Sequence, residues 1–411
     1  MSRQTRSPAH RRDRGFSLVE IMVGLVIGLL ATLVIMQAYA TFEGQKRSTT
    51  GSSDAQTNGN VALYMIERDA RMAGYGMSGA GMSNSPLDCT TIYSYYKTSS
   101  SEGPIPDLST NGLFPVSITD GGTGPGASDM VTLRFGTSLM GGVPTHLSKT
   151  MPDSSSELNV DSTYGCANGD LIILSHGSNC TLMQLTEVQD SALKLQHNPG
   201  GTPSYNPSAS YQNTNGWPGY AGRLGSGTHA GDSANPSSVS CLGTWITRTY
   251  AVVGEGNTPV TSADITVRNL AARDSGAYVP RVADIVNIQA QYGVSSAANN
   301  NTVSAWVNAD ATATPGLATW AAPTAADRKL IKAVRIAVVA RNGLLEKDTV
   351  TTPCTTAQST VNNGPCAWDD TGVDAAPKID LSHDADWQRY RYRVYETIIP
   401  LRNIIWAKEG L

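Results

Sequence analysis

Metal-ligand spacing is missing from this sequence. Its six cysteines, Cys89, Cys166, Cys180, Cys241, Cys354 and Cys366, form no Cys-x-x-Cys pair, and no histidine stands at zinc-finger spacing, which argues against a structural metal site. Catalytic signatures are missing too. Gly-x-Ser-x-Gly does not occur, and His176 follows Ser175 with no acid at a recognisable spacing to complete a triad. His146, His197, His229 and His383 are scattered through polar stretches and read as surface residues; His10 lies near the start. The run Gly121–Gly126 lacks the Lys-Ser/Thr of a phosphate loop and follows no clear strand, so it reads as a turn. Asp369, Asp370, Asp374, Asp380, Asp384 and Asp386 cluster in sequence. An oxygen-rich loop can hold Ca²⁺, but the EF-hand pattern is absent and a solvated acidic loop is the plainer reading. The expectation is no cofactor, no metal and no enzymatic activity.

Charge is sparse. Only 16% of the 411 residues are Asp, Glu, Lys or Arg, and glycine alone contributes 40. That balance favours strands and long polar loops over a helical bundle. The first fifteen residues hold five arginines and one aspartate; without them 30 basic and 34 acidic residues become 25 and 33, a formal −8. A chain so acidic is not a bulk nucleic-acid binder.

Hydrophobicity is concentrated at the start. A leader carrying Arg3, Arg6, Arg11, Arg12 and Arg14 against Asp13 ends at Gly15; Phe16 then opens a proline-free apolar run that continues through Ile21 to Met36. Residues 16–42 read as a membrane helix, longer than a ~30 Å hydrocarbon core requires. The leader's positive charge keeps it cytoplasmic and sends the rest across. Glu20 sits inside this run. A carboxylate there costs roughly 2.5–3.5 kcal/mol at a helix centre and less near an end, so it needs a partner. Were the chain cut between Gly15 and Phe16, the new amine of Phe16 would lie one turn from Glu20, within its own chain or on a neighbouring copy. A secretory signal cleaved at Ala38-Tyr39-Ala40 is the rival reading, but the run exceeds the usual ~7–15 residues and contains Glu20.

Residues 43–75 read as an amphipathic continuation. Gly44, Gly51 and Gly59 predict weakening, with melting near Gly51–Gly59. Leu63, Ile66, Ala70 and Ala73 share a face, Glu67 and Arg71 stand four apart, and Gly74 and Gly76 are suitable stops. About 335 residues follow, enough for a substantial core. Stretches 76–128 and 197–243 read as long loops. Strands are predicted at Met130–Phe135, Leu171–Leu174, Leu182–Val188, Ala192–Gln196, Trp245–Val253, Ile265–Leu270, Val282–Tyr292, Leu330–Arg341 and within Arg389–Ile399, where three arginines share a solvated face. The even cysteine count beyond a membrane suggests disulfides. Six cysteines allow about 15 full connectivities, among which sequence does not choose; Cys354–Cys366 and Cys166–Cys180 are the local candidates.

Arg14-Gly15-Phe16-Ser17-Leu18-Val19-Glu20 resembles the class III leader of type IV prepilins. The resemblance implies cleavage after Gly15 by a prepilin peptidase, N-methylation of Phe16, and assembly through Glu20. Ile66–Tyr75, Gln291-Tyr292-Gly293-Val294, Trp306, Trp320, Ala333–Arg341 and Tyr390–Asn403 are similar to PilW-type minor pilins, and J-type pseudopilins of type II secretion share the same order of elements. The implied fold is α+β: a long N-terminal helix, membrane-spanning in its first half, packed on a large antiparallel β-rich domain with long loops. Its parts are the leader 1–15, the membrane and assembly helix 16–42, its continuation 43–75 and the head 76–411. The implied role is a minor pilin that helps initiate or cap a pilus. Its partners would be other minor pilins, the major pilin, the peptidase and the inner membrane, with no nucleic acid. Before assembly it would sit in the inner membrane, and afterwards at the pilus tip. A secretion pseudopilin, a tip adhesin binding through the aromatic loops, and a hydrolase released after Ala40 are the alternatives.

Overall fold

A computed structural model describes residues 15–77, 84–105, 108, 112–140, 143–149, 157–200, 204–215, 237–264, 267–310, 319–371, 374 and 376–406. The charged leader, Trp217 and His229 lie outside the described residues. The chain divides into two compact units, Met1–Ser53 and Asp54–Leu411. A single helix, α1 (Leu18–Met72), begins in the first and ends in the second.

The predicted melting is not seen: α1 runs unbroken through Gly44, Gly51 and Gly59. Each glycine costs roughly 1 kcal/mol relative to Ala in a helix. In the second unit, tertiary packing offsets this. Ala55, Gly59, Ala62, Ile66, Asp69 and Ala70 form a buried stripe at helical spacing, so the buried face is centred beside Leu63, which is only partly buried. The residues are mostly small, which lets the helix lie close to what it covers. At Gly59 a Cβ would stand 2.1 Å from Cε2 of Tyr395. Alanine there would gain about 1 kcal/mol of propensity and lose more to the clash, typically 1–3 kcal/mol for overpacking. Glu67 and Arg71 pair as expected. The helix stops where Gly74 and Gly76 take φ of +79° and +87°, and the Gly74 N–H donates to the Arg134 carbonyl at 2.9 Å.

The stripe covers two antiparallel sheets. The C-terminal sheet runs in the order Ala305–Val307, Ile285–Val294, Ile331–Arg341, Tyr392–Pro400. Alternation sends Ile288, Ala290, Tyr292, Val334, Ile336 and Val338 to the main core with Ile66 and Ala70 and Val339 to a second cluster with Ile379, Leu381 and Trp387; a bulge between Ile285 and Asn287 interrupts the alternation and puts Val286 in that second cluster too. The middle sheet runs Val279–Ala283, Asn269–Arg273, Trp245–Val253, Met130–Gly136, Val116–Thr119. Its Tyr250, Val252, Val131 and Leu133 join the same core.

The other five-stranded sheet runs Thr91–Tyr93, Asn179–Gln184, Leu171–His176, Ser238–Gly243, Thr145–His146, with a parallel pairing between the first two strands. Both faces are apolar. Ile172, Leu174, Met183 and Val239 fill one; Leu171, Ile173, Leu182 and Leu242 fill the other. Each face carries a disulfide, Cys166–Cys241 on the first and Cys89–Cys180 on the second. The local pairing Cys166–Cys180 is therefore corrected. Cys166 precedes the Leu171–His176 strand and meets a neighbouring strand across the sheet. Cys354–Cys366 forms as expected.

Several strand limits shift for local reasons. The stretch 182–188 splits into Asn179–Gln184 and Glu187–Gln189. The turn at 189–191 is a 3-10 turn, Asp190–Ala192, closed by Leu193 at φ +52°. Asp284, at φ +55°, breaks the 282–292 run into two strands in different sheets. The strand expected from Ile265 lies at Asn269–Arg273; Ile265 and Thr266 fall outside the described residues. Both stretches read as loops contain strands: Val116–Thr119 in the first, and Ser238–Gly243, buried throughout, in the second.

Candidate assembly site

The N-terminal segment is treated first. Among the described residues nothing lies within 4 Å of where a Cβ on Gly15 would sit, and Phe16 is 79% exposed. The helix begins at Leu18 with Glu20 in its first turn, and the Glu20 and Ile21 N–H groups donate to the Ser17 carbonyl at 2.9 and 3.1 Å. Phe16 thus lies just before the first turn of the helix. A carboxylate in this turn also opposes the positive end of the helix dipole. From Phe16 to Phe42 the large apolar side chains are exposed, and α1 holds a window of mean hydropathy 2.7. It is long and apolar enough to cross a membrane. So much bare apolar surface calls for lipid or partner helices.

In the second unit the helix is fastened by a buried acid that sequence inspection did not single out. Asp69 accepts hydrogen bonds from the Tyr250 hydroxyl at 2.7 Å, from Arg248 at 2.8 Å and from the neighbouring Arg68 at 2.9 Å. Arg248 grips Asp274 with two bonds of 2.6 Å. Burial pushes the Asp69 carboxyl up, but the three donors outweigh it and hold it below the ordinary range. The legible signal was an aspartate on the apolar face between Ile66 and Ala73, where a charge needs partners.

Some of the residues that carried the family resemblance, Gln291, Gly293 and Trp306, meet around Arg335. Its Nε donates to Gln291 Oε1 at 2.7 Å. Its guanidinium lies 4.8 Å from the Trp306 ring centre and 4.4 Å from that of Trp368. Gly293 is needed because a Cβ would meet Trp306 at 2.8 Å. Burial lowers the guanidinium to about 10, still charged at neutral pH. Trp320 is buried, 6.3 Å from Tyr292 ring to ring.

The remaining candidates are absorbed by local structure. Ser175 is buried and its hydroxyl donates to the Asn84 carbonyl; His176 instead faces Ser237 at 3.3 Å. Asp370 accepts from Thr356, Thr360 and the Gln358 N–H. Asp380 accepts from Asn363 and Ser382, and Asp374 from the Trp306 N–H. Among the described residues no group of three or more His, Cys, Asp or Glu side chains is arranged to hold a metal ion. Of the expected arginine ladder only Arg393 falls within the strand Tyr392–Pro400. Arg389 pairs with Asp386 and Arg391 with Glu346.

An exposed apolar helix with a carboxylate in its first turn, joined to an antiparallel β-rich head, has the make-up of a type IV pilin. Residues 10–36 match the family model described as the prokaryotic N-terminal methylation motif. Residues 250–403 match the one described as Type IV Pilus-assembly protein W. Together the two matches support a type IV pilin of the PilW type. No curated protein and no solved structure matches the chain. Pilin class points to a structural rather than enzymatic protein with pilus-assembly partners, and leader and helix fit membrane anchoring before assembly.

Proposed function

We propose that this chain is a minor pilin that helps to initiate or cap a type IV pilus. A prepilin peptidase cuts after Gly15, Phe16 is methylated, and Glu20 pairs with the amine of a neighbouring pilin helix. The partners are other minor pilins and the major pilin. The precursor sits in the inner membrane, leader inward, and the mature chain at the pilus tip. The observation that carries this reading is the fully exposed apolar segment with Glu20 in its first turn, followed by a head of about 335 residues. Repeated at every subunit, so large a head would crowd its neighbours, and overpacked surfaces are costly. At a tip one side is open.

Quantitative mass spectrometry of sheared pili should find a few copies per filament, with the mature chain starting at methylated Phe16. Near-equal stoichiometry with the main subunit, or a terminus at Thr41, would end the reading. Glu20→Leu should insert and be cut normally, since the span becomes more apolar, yet fail to co-purify with partner pilins.

A further inference from the structure

The outer face of the middle sheet is not covered by the helix. It floors a groove of about 930 Å³, near the upper end of the ~300–1,000 Å³ common for ligand sites. The floor is rich in hydroxyls. Thr132 and Thr249 bond one another at 3.0 Å, and the Trp245 indole N–H donates to Thr247 at 3.1 Å. Each hydroxyl can donate once and accept twice, so the floor offers both functions. One wall comes from the two stretches that read as long loops in the sequence, both outside the matched residues 10–36 and 250–403. Tyr96 and Tyr205 pack ring to ring at 4.9 Å. Lys97 and Ser204 lock their backbones together through bonds of 2.9 and 3.1 Å. The wall is thus preformed, and Tyr96, Tyr205 and Trp245 all remain partly exposed.

We propose that this groove binds a glycan segment. Sugars present hydroxyls of both polarities and apolar C–H faces, which suit a threonine floor between aromatic rings. Charge agrees. The lining includes Arg134, Arg273 and Asp274, and Asp274 is already held by Arg248 while Arg273 lies over the Tyr278 ring at 4.4 Å. The groove therefore selects a neutral or weakly acidic ligand. A peptide suits it less well. The floor strands Met130–Gly136 and Trp245–Val253 are paired on both sides, which leaves only the short edge strand Val116–Thr119, whose Ser117 and Thr119 line one margin of the groove, for strand addition. The inference goes beyond pilus initiation and stands whether or not the chain starts filaments.

The full chain, purified in a detergent without a sugar headgroup, is applied to an array of defined oligosaccharides, and the best binder is then titrated in solution. The expected result is saturable binding of at least one glycan. Tyr96→Ala with Tyr205→Ala should weaken it about tenfold or more, and Thr247→Val about fivefold, the scale of a lost stacking or hydrogen-bond contact. Tyr64→Ala, on the exposed side of the helix, should leave it unchanged. Mass mapping of Cys89–Cys180 checks that each variant is folded. The proposal is overturned if no array glycan is retained, if the folded groove variants bind as wild type, or if only peptides bind and compete.

Discussion

The helix seat with its two covering sheets and the disulfide-linked sheet solve the same problem differently. The seat has strands of nine to eleven residues at Trp245–Val253, Ile285–Val294, Ile331–Arg341 and Tyr392–Pro400, and its core is one continuous cluster. The disulfide-linked sheet has strands of two to six residues and splits its apolar side chains between two small clusters. Short strands bury little per strand, so covalent links matter more there. The disulfides divide accordingly: this sheet is closed by bridges 91 and 75 residues apart, whereas the remaining one spans 12. The family match falls on the first region and leaves the second untouched.

The largest test of that contrast removes the long bridges. In the chain-entropy model each is worth about 4–5 kcal/mol, against about 3 for Cys354–Cys366. Replacing Cys89, Cys180, Cys166 and Cys241 by serine should abolish hydrogen-exchange protection across 171–184 and 238–243 while 285–294 and 331–341 stay protected. Equal loss in both regions would show that they unfold as one. The converse change is Ile66→Ala, which opens a cavity beneath the helix. A loss of about 3 kcal/mol is expected, read by denaturant unfolding, with exchange rising first in 285–294 and 331–341.

The smallest effect, taken per pH unit, is a slope carried by the helix seat. Asp129 is buried; its two oxygens accept from the Gly121 and Ala290 N–H groups at 2.9 and 2.8 Å. Burial, opposed by these donors, pushes its carboxyl from 3.8 up to about 8. The folded form therefore holds a proton that the unfolded chain has released. Stability from this group is complete below pH ~4 and is lost as pH rises through about 8. Near neutrality the slope is about 1 kcal/mol per pH unit. Asp129→Asn should flatten it in a thermal-unfolding series from pH 5 to 8; an unchanged slope would assign it elsewhere.

Legibility followed the same division. Trp245–Val253 and, within a residue, Leu330–Arg341 could be read directly, because long strands buried on one or both faces leave a strong apolar pattern. Ser238–Gly243 could not, since its Ser, Cys and Gly residues look like a loop until neighbouring strands bury them. Gly15, Phe16 and Glu20 stood out because a carboxylate in an apolar run has no other excuse. Gly59 looked like a helix breaker because sequence does not show Tyr395 lying against it. Likewise Cys166 and Cys180 are close in sequence but are directed to opposite faces of one sheet, and only the fold separates them.

The order of the two long bridges bears on how the chain is made. Along the sequence the cysteines read 89, 166, 180, 241, and the bridges join first to third and second to fourth. A chain that meets an oxidant as it emerges offers Cys89 and Cys166 to each other before either native partner has appeared. Pairing consecutive cysteines traps the wrong loop. Maturation of this sheet therefore calls for a thiol–disulfide isomerase as well as an oxidant, or for delayed oxidation until Cys241 has cleared the exit. A host stripped of isomerase but not of oxidase should accumulate mispaired protein whose Cys354–Cys366 bridge, closed between neighbours in sequence, is still correct.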